Sequence, residues 1–123
     1  MQEIKINWSK LTPLKQVDIE KINVAGVYRI SKKATDDGNY YVFFVGSAEN
    51  IKEKLLEHIS INEKNTRLQK YLTREDSDIV FRYAVVENES MRQAVEKQMY
   101  EHYLPEYNLE EPKSSFDIDA NLN

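Results

Sequence analysis

An α+β fold, with a small three-stranded antiparallel sheet flanked by helices, is predicted by three features of this 123-residue sequence. Two stretches rich in β-forming residues, 24–31 and 40–46, are separated by a polar segment that contains Asp-Gly-Asn at 37–39, a pattern typical of a β-hairpin. Apolar residues then recur at helical spacing, before a third stretch, 78–86, alternates again like a strand. A chain of this length is the size of one compact domain.

The first two helices are predicted after the hairpin. From about residue 50 to residue 60, Ile51, Leu55 and Ile59 are spaced by four residues, so one face of a helix would enter the core. A second helix over 66–73 would direct three residues inward, namely Leu68, Tyr71 and Leu72.

The third helix is predicted after the 78–86 strand. Ser90 and Gln93 have the spacing of a capping box, and Pro105 would end the helix. The residues expected on its inner face are Met91, Val95, Gln98, Met99 and His102. The resulting element order is β-β-α-α-β-α.

Charge and composition suggest three segments, with 24–108 as the domain, 1–23 as an N-terminal extension packing on it, and 109–123 as a loose acidic tail. The net charge is −4, with 21 acidic and 17 basic residues. From position 106 onward five acidic residues stand against Lys113 alone, so the first 105 residues carry 16 of each sign. A neutral body leaves room for a local basic face, which a nucleic-acid partner would require.

Composition excludes several kinds of site. There are no cysteines, which excludes disulfides, thiolate metal sites and cysteine nucleophiles and suits a cytoplasmic protein. Two histidines are too few for a multi-histidine metal site. No glycine-rich phosphate loop, HExxH pair or GxSxG elbow is present, and no apolar run approaches the roughly 20 residues of a membrane span.

A phenol, an imidazole, a cation and a carboxylate stand at positions that one fold could bring together. Tyr28 lies on the first strand, Lys54 and His58 share a face of the first helix, and Glu96 lies mid-way along the third. Asn108 follows the end of that helix. Hydrolysis of a phosphodiester needs a base for water, positive charge on the phosphate and a metal at the leaving oxygen. Taken singly, each residue is as well explained as packing, surface charge or a turn.

Four motifs in order resemble those of the GIY-YIG nuclease family: GVY at 26–28, FVG at 44–46, NIKEKLLEH at 50–58 and AVEKQMYEHYLPEYN at 94–108. The resemblance covers 83 of 123 residues. It implies a GIY-YIG-like fold with the two tripeptides on adjacent strands, and metal-dependent endonuclease activity on nucleic acid, with DNA as the expected substrate.

The resemblance also implies roles for particular residues. The first tyrosine of the family corresponds to Tyr28, the helical histidine or tyrosine to His58, the metal-binding glutamate to Glu96 and the asparagine to Asn108. One divalent ion, Mg²⁺ or Mn²⁺, would bind Glu96, while Tyr28 with His58 would orient or deprotonate water and Lys54 would offset phosphate charge.

Two positions depart from the family pattern. Phe44 stands where the second tripeptide has its tyrosine, and Lys54 stands where the helix has its arginine. Phenylalanine keeps the ring but lacks the hydroxyl, and lysine keeps the charge but lacks the planar fork that grips a phosphate with two bonds. Tyr40 shares the predicted strand face with Phe44 but lies about 13 Å along the strand, too far to replace it.

Two hypotheses therefore remain. The first is a metal-dependent endonuclease with a weakened site. The second is a catalytically inactive module on the same fold that binds nucleic acid or a protein. For either nucleic-acid function, the first two helices offer a basic surface, formed by Lys52, Lys54, Arg67, Lys70 and Arg74.

Overall fold

The computed structural model describes residues 2–33, 39–60, 63–74, 79–116 and 118–122 and confirms the α+β class. In chain order the elements are β1 (Gln2–Ile4), β2 (Thr12–Pro13), α1 (Gln16–Ile19), β3 (Gly26–Lys33), β4 (Tyr40–Ala48), α2 (Ile51–His58), α3 (Thr66–Arg74), β5 (Ile79–Val85), α4 (Glu89–Tyr103) and β6 (Ile118–Ala120). The Asp-Gly part of the predicted hairpin turn lies outside the described residues.

Within the described residues the main sheet has four antiparallel strands in the order β2-β5-β3-β4, so the predicted count of three is wrong. The extra strand, β2, pairs only Thr12 with Phe81 and Pro13 with Val80 at the edge of the sheet. A strand of two residues is too short to show an alternating pattern in the sequence. Its proline is tolerated because one side of an edge strand needs no backbone hydrogen bonds to a neighbour. Strand β3 lies between β4 and β5, and its Tyr28 is buried in the core on the face covered by α1, α2 and α3.

The expectation of a loose tail is wrong for residues 118–122. Strand β6 pairs in parallel with β1, and Ile118, Ala120 and Leu122 are buried. These three apolar residues alternate with polar ones, which is the two-residue period of a half-buried strand. Strand β6 is too short, and its neighbours too acidic, for that period to be recognised in the sequence.

Two cores lie on opposite faces of the main sheet. Helices α1, α2 and α3 cover one face, where Ile19, Leu55 and Leu68 are buried against the sheet. Helix α4 and β6 cover the other, where Val95 and Met99 are buried.

Strand β4 contains a β-bulge at Phe43. Ile30 pairs with Phe44 and Ser31 pairs with Val42, so Phe43 is one extra residue on β4. Because the bulge reverses the alternation, Phe43 and Phe44 both contact the core beneath α2 and α3.

The same bulge corrects the prediction for Tyr40. Tyr40 pairs with Lys33, whereas Phe44 pairs with Ile30, three residues away on β3. Residues three apart on a strand point to opposite faces, so Tyr40 lies on the face away from Phe44.

Helices α2 and α4 differ from their predictions in detail. At the end of α2, His58 is buried and Ile59 is 37% exposed, because the helix ends before Ile59 completes the apolar stripe. Helix α4 is capped by Asn88, whose side-chain oxygen accepts a hydrogen bond from the backbone N–H of Met91, and not by the predicted Ser90 box. His102, predicted to face inward, is exposed.

Candidate active site

A cleft of about 330 Å³ brings together all five residues predicted to be catalytic, together with Phe44. These six residues come from β3, β4, α2, α4 and the segment after α4. They are at least four positions apart in the sequence, so it is the fold that brings them together. The residues that line this cleft include Tyr28, Phe44, Ser47, Lys54, Glu57, His58, Glu63, Lys64, Glu96 and Asn108.

Tyr28 forms the floor of the cleft and is only 1% exposed. Its hydroxyl oxygen lies 2.7 Å from Nε2 of His58. Burial, reinforced by the negative charge of Glu96, raises the pKa of Tyr28 well above its ordinary value. The phenol is therefore protonated at neutral pH, and its oxygen gains basicity only if a neighbour accepts its proton.

Glu63 holds the other side of the His58 ring and was not anticipated from the sequence. Nδ1 of His58 lies 2.7 Å from Oε2 of Glu63, and both side chains are buried. The other carboxylate oxygen of Glu63 accepts a hydrogen bond from the backbone N–H of Asn65 at 2.9 Å. Glu63 lies between α2 and α3, where no helical or strand period marks a residue as inward. The one signal available was the need of a buried histidine for a partner.

Glu96 projects from α4 into the cleft, where its Oε1 accepts a hydrogen bond from the Ser47 hydroxyl at 2.6 Å. Burial raises the pKa of Glu96, although the Ser47 hydrogen bond and the charge of Lys54 act in the opposite direction. A partly desolvated carboxylate with a raised pKa gains from a nearby cation, and the cleft has room for a hydrated one. Within the described parts of the chain, no three His, Asp or Glu side chains converge as metal ligands.

Lys54 and Phe44 are the two departures from the family pattern, and both face the cleft. The Lys54 ammonium lies 3.7 Å from a Glu57 carboxylate oxygen, and the two side chains are 44% and 40% exposed. An exposed pair of this kind is weak, so Lys54 can turn toward a phosphate at little cost. The ring of Phe44 packs edge-on against His58, with centroids 4.8 Å apart, and stacks near Tyr28 at 6.3 Å.

Asn108 is engaged by the backbone of β4. Its side-chain oxygen accepts a hydrogen bond from the N–H of Val45 at 3.0 Å, and its amide donates to the carbonyl oxygen of Val45 at 2.9 Å. The neighbouring Tyr107 N–H also donates to the carbonyl oxygen of Phe43. These contacts tie the segment after α4 to the strand that carries Phe44.

The predicted basic surface is only partly next to the cleft. Lys54 lines it, whereas Lys52 is half-buried on α2 and Lys70 is exposed on α3 outside the cleft lining. Arg67, also exposed on α3, lies 3.8 Å from the Glu106 carboxylate and over the Tyr107 ring. The side chain of Arg74 lies outside the described residues. Lys64, which the sequence did not single out, lines the cleft.

A second, larger groove of about 730 Å³ lies on the other side of Ser47. It contains none of the predicted catalytic residues, and its charged lining is mainly acidic, from Glu49, Glu87 and Glu89 against Arg92. The smaller cleft is therefore the candidate site because it holds all five predicted residues, and not because of its size.

Comparison with known proteins identifies the fold. No protein-family model and no curated protein matches this chain. Among solved structures, the magnesium-bound GIY-YIG N-terminal endonuclease domain of UvrC from Thermotoga maritima is similar, with a TM-score of 0.53 and 20% identity over 75% of this chain and 97% of that one. A point mutant of that domain, bound to its catalytic divalent cation, also has a TM-score of 0.53, with 19% identity over 76% of this chain and 97% of the other. The chain has a GIY-YIG-like fold.

The GIY-YIG-like fold accounts for the order of the motifs. The two tripeptides lie on adjacent antiparallel strands, as the resemblance implied, with Tyr28 directly opposite Gly46. Helix α2 follows the second tripeptide and carries Lys54 and His58, and α4 returns to supply Glu96. In the described part of this GIY-YIG-like chain, no helix is both long enough and apolar enough to span a membrane.

Proposed function

We propose that this protein is a metal-dependent endonuclease that hydrolyses phosphodiester bonds of nucleic acid, with DNA as the favoured substrate. The observation that carries the proposal is the convergence of the Tyr28–His58 hydrogen bond and the Glu96 carboxylate on one cleft. A proton acceptor for water and a carboxylate for a cation are two of the parts that such hydrolysis requires, and Lys54 in the same cleft supplies the third, positive charge for the phosphate.

Glu96 is the proposed metal ligand. Its carboxylate is partly desolvated, and a divalent cation bound there would stabilise negative charge on the leaving oxygen. Mg²⁺ fits a site with one protein carboxylate because it keeps much of its hydration shell, and Mn²⁺ accepts the same oxygen ligands. The UvrC endonuclease domain is bound to magnesium, which supports a divalent ion on this fold.

Tyr28 and His58 are the proposed base for water. The Tyr28 oxygen lies at the cleft floor and can take a proton from water as its own proton passes to His58 Nε2, 2.7 Å away. Lys54 and Lys64 would offset the charge of the phosphate in the cleft. Lys52, Arg67, Lys70 and Arg74 are proposed as contacts to flanking phosphates.

Phe44 is the observation that favours the alternative, a catalytically inactive module that binds nucleic acid or a protein. Its ring preserves the packing against His58, so the strand end needs no hydroxyl for stability. Three UvrC domain structures carry a single tyrosine-to-phenylalanine substitution and are still bound to the catalytic divalent cation. On that fold, then, loss of one tyrosine hydroxyl is compatible with metal binding, so Phe44 is compatible with a cation at Glu96.

The test is a cleavage assay on single-stranded, duplex and branched DNA with Mg²⁺ or Mn²⁺. Glu96→Ala should abolish cleavage while leaving the melting temperature nearly unchanged. Within the described residues its side chain makes one hydrogen bond, to Ser47, and loss of that bond is offset by removal of a carboxylate whose burial is unfavourable. Glu101→Ala, an exposed glutamate on the same helix, is the matched control and should cleave like the parent. Undiminished cleavage by Glu96→Ala would place the activity elsewhere or in a contaminant, and absence of metal-dependent cleavage by the parent would favour the binding module.

A further inference from the structure

Glu63 lies at the end of a line of buried hydrogen-bonding groups that begins at Tyr28. The Tyr28 hydroxyl meets one nitrogen of His58, and Glu63 meets the other, both at 2.7 Å. Glu63 is 8% exposed, and its second oxygen is occupied by the backbone N–H of Asn65. Asn65 in turn accepts a hydrogen bond from the backbone N–H of Leu68, so the start of α3 fixes where the Glu63 carboxylate lies.

The chemistry of Glu63 determines the direction of these hydrogen bonds. Burial alone would raise the pKa of Glu63, but the hydrogen bonds from His58 and from the Asn65 backbone outweigh burial and lower it. An ionised carboxylate can only accept hydrogen bonds, so the proton between Glu63 and His58 belongs to Nδ1. In a neutral imidazole the other nitrogen, Nε2, is then bare and accepts the Tyr28 O–H.

We propose that Glu63 is a positioning residue that holds His58 as the Nδ1–H tautomer and so makes Nε2 the acceptor for the Tyr28 proton. This rests on the proposed endonuclease function. Glu57, the other acidic residue close to His58 in sequence, is paired with Lys54 and half-exposed, which leaves Glu63 as the group that orients the ring.

In this arrangement each proton and electron pair of the hydrolytic step has an acceptor. The water oxygen forms a bond to phosphorus, and the water proton passes to the Tyr28 oxygen as the Tyr28 proton passes to Nε2. The bond from phosphorus to the leaving oxygen breaks with its electron pair, and that oxygen takes a proton from solvent. His58 is left as an imidazolium paired with Glu63, and it returns its proton to solvent before the next cycle.

Glu63→Gln reverses the direction of the hydrogen bonds with almost no change in shape. The amide oxygen of glutamine must face the Asn65 N–H, because the opposite orientation would set two donors against each other. Its NH₂ group then faces Nδ1 of His58, which must become an acceptor. The proton moves to Nε2, and the ring can no longer accept from Tyr28.

The first readout is ¹⁵N NMR of the histidine rings at mildly alkaline pH, which needs no substrate and no cleavage. His58 should be the Nδ1–H tautomer in the parent and the Nε2–H tautomer in Glu63→Gln. His102, the second histidine, is exposed, and His102→Gln assigns the signals. An Nε2–H or doubly protonated ring in the parent overturns the proposal, whether or not the protein cleaves DNA.

The second readout is a double-mutant cycle on cleavage. General acid–base assistance is worth about 10²–10⁴-fold, so Glu63→Gln should lower kcat by at least about 10²-fold with little change in KM. In a His58→Ala background the same change should have no further effect, because Glu63 acts through His58. Glu53→Gln, exposed on α2, is the control. An equal loss in both backgrounds, or a fall in melting temperature that explains the loss, overturns the positioning role.

Discussion

The Tyr28 hydroxyl lies directly over the backbone of Gly46, such that a Cβ atom on residue 46 would be 2.5 Å from the hydroxyl oxygen. The two residues are register partners on β3 and β4. The φ angle of Gly46 is not in the left-handed region, so room for the phenol is the reason for glycine here. The glycine of one tripeptide and the tyrosine of the other are thus parts of a single contact.

Gly46→Ala should displace the Tyr28 ring and break its hydrogen bond to His58. Overpacking of this kind costs about 1–3 kcal/mol in the free energy of unfolding, and cleavage should fall further than that loss explains. Chemical denaturation measures the loss of stability, and the NMR signals of His58 report the loss of its hydrogen bond to Tyr28. A variant with parent-like stability and an unchanged His58 spectrum would show that the strands separate easily at this point.

Glu96 should make the protein less stable at neutral pH than it would be without the charge. Because its folded-state pKa is raised, the native state binds this proton more tightly than the unfolded state does, so stability falls as pH rises from the unfolded pKa toward the folded one. Glu96→Gln should therefore raise the melting temperature at neutral pH, and the gain should vanish below the ordinary pKa of glutamate. Thermal melts across that range measure it.

A divalent cation should act on the same carboxylate. Mg²⁺ should raise the melting temperature of the parent, since a ligand that binds only the native state stabilises it, and should leave Glu96→Gln unaffected. Glu101→Gln is the control for non-specific ion effects and should respond like the parent. An equal rise in all three proteins would place metal binding away from Glu96.

The elements that sequence predicts best are those with a long, regular period. Helix α2 has clear spacing, and its Lys54 and His58 fall on the cleft because four residues make about one helical turn. The two-residue β2 and the three-residue β6 are too short for a period to emerge, and their partners are distant in sequence. Pairing of that kind depends on tertiary contacts that no local pattern records.

Within the candidate site, the ordered motifs locate Tyr28, His58 and Glu96, but they are silent about what orients them. Glu63 follows no helical or strand pattern, and its contact with His58 is a tertiary contact that no local period marks. The bulge at Phe43 is similarly hidden, since an extra residue changes strand faces without changing composition. Predicting either requires the arrangement of the backbone first.

The exposed basic side chains of α3 should contribute to nucleic-acid affinity. Arg67→Glu with Lys70→Glu should weaken DNA binding. The slope of log K against log salt concentration should fall in magnitude by about two, because each basic side chain neutralises one phosphate. Stability should hardly change, because the Arg67–Glu106 pair is exposed. Fluorescence anisotropy in a Glu96→Ala background measures binding without cleavage. The control is Lys5→Glu with Lys10→Glu, since both lysines are exposed near the N-terminus. Equal affinity in all variants would show that the α3 surface does not bind DNA.

Phe44 and Lys54 lie at the same cleft, so the two departures from the family pattern should be coupled. The Phe44 ring fills its place against His58 and Tyr28 without a hydroxyl, and Lys54 supplies charge without a planar fork. If both missing groups serve one phosphate, Phe44→Tyr with Lys54→Arg should raise cleavage by more than the product of the single effects. A hydrogen bond to a charged group contributes about 1.5–3 kcal/mol, so a gain of at least about tenfold is expected.

Both substitutions nearly preserve shape, and Phe44 is only half-buried, so the double variant should melt close to the parent. Phe116→Tyr with Lys10→Arg makes the same chemical changes at exposed residues outside the cleft lining and should leave cleavage unchanged. Single-turnover assays on the three DNA substrates compare all four single variants and both doubles. A folded Phe44→Tyr, Lys54→Arg protein that binds Mg²⁺ and still cuts none of them would mean that the cleft lacks more than these two groups, and the fold would then serve binding and not hydrolysis.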